Sequence, residues 1–69
     1  MNKNMFVSKM KLNGDTNAVL AEAIGLSAQR LSAKINETKG AEFTQGEIQR
    51  IKERYNLTND EVDNIFFAQ

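Results

Sequence analysis

Apolar residues along this chain recur three and four positions apart, the period of a helix face, and no alternating run is long enough to form a strand. The spacing predicts five helices. The first runs from about Lys3 to Leu12, with Phe6 and Met10 four apart. Asn13-Gly14 closes it, because both residues tolerate the left-handed backbone that ends a helix. The second begins at Asp15 or Thr16, carries Val19, Leu20 and Ile24, and stops at Gly25. The other three share a start signature. In a hydrophobic staple, the residue before the cap packs on the residue four past it. Leu26 and Leu31 stand this way around Ser27, Phe43 and Ile48 around Thr44, and Leu57 and Val62 around Thr58. Thr44 with Glu47 and Thr58 with Glu61 add capping boxes. Helices are therefore expected over about Ser27 to Asn36, Thr44 to Tyr55 and Thr58 to Phe67, with the polar loop NETKGAE before the fourth.

One small core follows from these faces. Phe6, Met10, Leu20, Ala21, Ile24, Leu31, Ile35, Phe43, Ile48, Ile51, Tyr55, Val62, Ile65 and Phe66 are expected to enclose it. Ala21 is small where the second and third helices should cross closely. Phe67 lies off the Val62/Ile65/Phe66 stripe; it is either an exposed anchor or a terminal residue folded back on the core, and the second is expected. Met5 and Leu12 fall away from Phe6 and Met10, as candidates for a partner patch or as scattered surface residues.

Composition narrows the chemistry. The 69 residues make a single domain with no internal repeat or linker, and they contain neither cysteine nor histidine. Disulfides, thiolate and imidazole metal sites and the commonest general base are thereby excluded. No apolar run approaches a membrane span, and no stretch reads as a signal peptide, so a soluble cytoplasmic protein is expected. No nucleophile has a base beside it and no phosphate-binding glycine motif occurs, so neither an enzyme nor a cofactor is expected.

Nine basic residues balance nine acidic ones, which gives little general attraction for nucleic acid. Their order along the chain matters more. Residues 1 to 14 carry Lys3, Lys9 and Lys11 without an acid, and residues 27 to 36 carry Arg30 and Lys34 without an acid. Asp60, Glu61 and Asp63 gather at the start of the fifth helix, where negative charge suits the helix dipole. Charge is thus segregated along the chain, which leaves folding free to collect the basic part on one face.

Residues 16 to 36 have the requirements of a helix-turn-helix: small Ala21 inside the first helix, Gly25 at the corner, and Leu26 and Leu31 as apolar anchors. The following helix then presents Ser27, Ala28, Gln29, Arg30, Ser32, Ala33 and Lys34 outward. Gln29 suits adenine and Arg30 suits guanine, while Ser27, Ser32 and Lys34 suit phosphates. The same face equally suits a protein partner.

TNAVLAEAIGLSAQRLSAKIN resembles the Cro/repressor class of phage helix-turn-helix domains, and FTQGEIQRIKERYNLTNDEVDNIFF is similar to the ending of small Cro-like regulators from phages of Gram-positive bacteria. The resemblance spans about residues 16 to 67. It implies an all-α, compact five-helix domain serving a phage lysis–lysogeny switch in the cytoplasm of the bacterial host. Two modes are open: an antirepressor that binds the phage repressor's DNA-binding domain, or a regulator that reads operator DNA itself, as a homodimer. The class often has glutamine where the shorter Asn17 stands, bracing a phosphate, and an apolar residue where Lys34 stands, with Ile35 following one position later. Zero net charge and the short Asn17 favour the antirepressor.

Overall fold

The computed structural model describes residues 1–67 and contains five α-helices: α1 (Lys3–Leu12), α2 (Asn17–Ile24), α3 (Ala28–Ile35), α4 (Gln45–Tyr55) and α5 (Asn59–Phe66). A short 3-10 turn, Thr38–Gly40, lies between α3 and α4. The domain is all-α, and no strand occurs among the described residues. None of these helices is long and apolar enough to cross a membrane.

Local chemistry accounts for the boundaries. The side chains of Asn2, Thr16, Ser27, Thr44 and Thr58 each accept a hydrogen bond from the backbone N–H three residues on, satisfying a donor that the helix leaves open. Both expected capping boxes are closed by Glu47 and Glu61. Of the pair ending α1, only Gly14 is left-handed (φ +71°), whereas Asn13 has φ −96° and caps through its amide, which donates to the Lys9 carbonyl at 2.8 Å. Thr16, not Asp15, caps α2.

The core holds Phe6, Met10, Leu20, Ala21, Ile24, Leu31, Ile35, Ile51, Tyr55, Leu57, Val62 and Ile65. Three expected members, Phe43, Ile48 and Phe66, pack against it but remain half-buried. Leu57 is an addition. It follows Asn56, whose left-handed backbone (φ +51°) turns the chain back, and its N–H donates to the Lys52 carbonyl at 2.9 Å. The staple position is thereby driven inside. Phe6 stacks on Phe43 at 5.4 Å and meets Phe66 edge-on at 5.8 Å, and Phe43 and Phe66 close the triangle at 5.5 Å. This aromatic cluster joins α1, the segment entering α4, and α5. The Asn2 N–H donates to the Ile65 carbonyl at 2.6 Å, tying the start of α1 to the end of α5.

Asp15 fastens the entry of α2 to α4. Arg54 grips both carboxylate oxygens at 2.8 Å, and the Tyr55 hydroxyl donates to Oδ2 at 2.6 Å. The Arg54 hydrogen bonds hold the Asp15 carboxyl down at about 2, against an ordinary 3.8, despite its burial. Burial, followed by the Asp15 carboxylate, pushes the Tyr55 hydroxyl up. Because the folded value of Asp15 lies below its unfolded one, its contribution is complete above pH 3.8 and is lost as pH falls toward 2. Acid titration followed by circular dichroism is expected to show that loss, on the order of 1 kcal/mol after solvent screening. Asp15→Asn is expected to remove that segment of the pH dependence; an unchanged curve excludes Asp15 as its source.

Candidate functional site

The helix pair α2–α3 meets at a sharp corner. Gly25 takes a left-handed backbone (φ +79°), and the Leu26 N–H donates back to the Ala21 carbonyl at 2.8 Å, sealing the end of α2. A side chain at position 25 would be strained by that φ, which is why glycine sits there. Buried Leu20, Ala21 and Ile24 on α2 face buried Leu31 and Ile35 on α3. The bend and the inward anchors match the sequence expectation.

Outward, α3 exposes Ala28, Gln29 and Arg30 next to its exposed cap Ser27, and Asn17 is exposed at the start of α2. The Ser27 oxygen is engaged as a cap, accepting from the Arg30 N–H at 3.1 Å. Ser32 and Ala33 are half-buried rather than outward, and the Ser32 carbonyl accepts from the Asn36 amide at 3.0 Å. The residues of α3 and its cap lie on one element, with Asn17 on α2, and only the N-terminal half of α3 is a free surface.

Lys34 corrects the expectation most sharply. It was placed among the outward, phosphate-holding residues, yet it is only 7% exposed. Position 34 lies three after Leu31 and one before Ile35, on the buried stripe. Its aliphatic stem fills that position, and its ammonium reaches Glu47 Oε1 on α4 at 2.6 Å. Glu47 also accepts from the Thr44 N–H at 2.9 Å. Burial pushes its carboxyl up, but the hydrogen bonds from Lys34 and from the Thr44 backbone outweigh that and leave it below the usual range.

Two lysines of the N-terminal basic stretch have partners within the domain, and Lys11 is exposed. Lys9 pairs with Glu61 on α5, whose carboxyl is held low first by that hydrogen bond and then by the Thr58 N–H. Lys3 donates to the Asn36 side chain at 2.5 Å. Arg30 remains as the exposed cation of α3.

A second feature was not visible in the sequence. Beyond the C-terminal end of α3, a groove with a cavity of about 190 Å³ is lined by Lys34, Glu42, Phe43, Ile48, Phe66 and Phe67, among others. Phe67 does not fold back on the core: it is 57% exposed at the groove's edge. Glu37, in the lining, and Lys39 two residues on have left-handed backbones (φ +53° and +54°), which is uncommon for such residues. Its parts come from Met1, α3, the loop between α3 and α4, α4, and the end of α5 with Phe67 after it, so no local spacing announces it. The other large exposed apolar residues among those described, Leu12 and Val19, are not in its lining.

No family model matches the chain, and no curated protein or solved structure matches it either.

Proposed function

We propose that this protein is an antirepressor of a temperate phage, acting in the host cytoplasm on the lysis–lysogeny switch by binding the repressor's DNA-binding domain and blocking or altering its operator binding, with contact to operator DNA by the resulting complex left open. The supporting class is the Cro/repressor group of small helical regulators. Within it the chain resembles the modulator of repression of a lactococcal temperate phage.

The observation that carries this reading is the burial of Lys34 against Glu47. Operator affinity grows with the number of phosphates neutralised. With Lys34 turned inward, Lys9 bound to Glu61 and net charge zero, the α3 face offers Arg30 and little else to a DNA backbone. A face of Ala28, Gln29 and Arg30 at the start of α3, and an aromatic-lined groove past its other end, suit a protein surface better, since aromatic residues and arginine carry much of the energy in protein interfaces. Acidic Glu42 on the groove complements a basic DNA-binding domain, while Glu37 beside it is paired with the Met1 ammonium at 2.6 Å. The direct operator reader remains the second reading, favoured by exposed Gln29 and Arg30 in the half of the helix that enters a major groove.

Two titrations separate these readings. The protein alone is expected to leave operator DNA unshifted at low salt, and to form a stoichiometric complex with purified repressor. Phe67→Ala and Arg30→Ala are each expected to weaken that complex by about 1–2 kcal/mol. A DNA shift by the protein alone, steeply salt-dependent and reduced by Arg30→Ala, makes it an operator reader instead.

A further inference from the structure

α4 carries a polar stripe at positions 47, 50 and 54, and each of its three side chains ends on the helix pair beside it. Glu47 binds Lys34 of α3, Arg54 binds Asp15 just before α2, and Arg50 reaches the corner between them. The Arg50 Nη1 donates to the Ile24 carbonyl at 3.0 Å. That carbonyl lies at the C-terminal, negative end of α2, where a cation is stabilised by the helix dipole and by a charge-assisted hydrogen bond. The turn itself satisfies the Ala21 and Glu22 carbonyls through the Gly25 and Leu26 N–H groups, so Arg50 supplies a partner the turn does not provide for Ile24. A Cβ built on Gly25 would lie 3.4 Å from the same guanidinium nitrogen, which places Arg50 directly over the glycine. The corner is therefore closed from the α4 side by a side chain that is itself largely exposed.

We propose that Arg50 is a positioning residue for the α2–α3 corner: it sets the angle at which α3 presents Gln29 and Arg30, and it does so from outside the core. Core packing at Leu20, Ile24 and Leu31 holds the helices together, and Arg50 restricts the opening of the turn that joins them. The consequence for partner binding rests on the antirepressor reading; the mechanical claim does not.

Hydrogen exchange on Arg50→Ala and Arg50→Lys tests it. In Arg50→Ala, the Leu26 and Arg30 amides are expected to exchange about tenfold faster, reporting local opening of the corner, while the Ile51 and Val62 amides keep their rates. Arg50→Lys, which can restore one donor to the Ile24 carbonyl, is expected to recover part of the protection. Repressor binding by Arg50→Ala is expected to weaken about fivefold, since a partner must then order the corner. Equal acceleration at all four amides, or no acceleration at any, overturns the proposal, as does a lysine variant no better than alanine. If the corner loosens as expected and repressor does not bind even the unaltered protein, the antirepressor reading fails and the positioning role of Arg50 stands.

Discussion

Lys34→Ala is expected to cost the domain about 3–5 kcal/mol, because it leaves the Glu47 carboxylate enclosed without its cation. The pair is nearly out of solvent on both sides, with side-chain exposures of 8% and 12%. Removing one member of such a pair costs more than the pair contributes, since the survivor keeps its desolvation without its attraction. Glu47 also closes the capping box of α4, so the start of that helix loses its anchor to α3 at the same time. Small domains have roughly 5 kcal/mol in hand, so thermal and urea denaturation should show a variant close to unfolding at room temperature. Lys34→Met with Glu47→Gln is expected to recover most of the loss, by keeping the stem and removing the charge. If Lys34→Ala melts within a few degrees of the parent, the ion pair is not a structural element. The experiment also bears on function. Loss of binding in Lys34→Ala is not evidence for a phosphate contact until folding has been measured.

Phe6→Ala is expected to cost a similar amount, about 3–5 kcal/mol, for a different reason. Phe6 is 1% exposed and touches both Phe43 and Phe66. Truncation opens a cavity and removes two of the three aromatic contacts, each worth about 0.5–1.5 kcal/mol beyond area alone. Phe6→Leu is expected to lose about half as much. Because Phe43 and Phe66 also line the groove, Phe6→Leu should weaken repressor binding even where the domain remains folded. Denaturation midpoints and repressor titration on the same variant check both statements. Unchanged affinity in a folded Phe6→Leu protein would show that the groove wall does not depend on what lies behind it.

Helix boundaries were legible because they are set by neighbours in sequence. Thr44 with Glu47 and Thr58 with Glu61 close within one turn, and Gly25 bends the chain through its own backbone. Most core positions were legible for the same reason, as helical period alone puts Leu20, Ile24 and Leu31 on one side. What was not legible depends on distant partners. Lys34 reads as a surface cation until Glu47, thirteen positions on, comes within reach. Lys9 reads as part of a basic patch until Glu61, fifty-two positions on, takes it. Leu57 was seen as a staple but not as core, since its burial depends on the left-handed turn at Asn56. The groove around Phe43, Ile48, Phe66 and Phe67 exists only once separate helices have docked.

The hydrogen bond from Asn2 to Ile65 brings the first and last helices of the domain side by side. Joining residue 67 to residue 1 through a short glycine-rich bridge and opening the chain at the exposed Gly14 turn should therefore yield a circular permutant with the same helices in the same places.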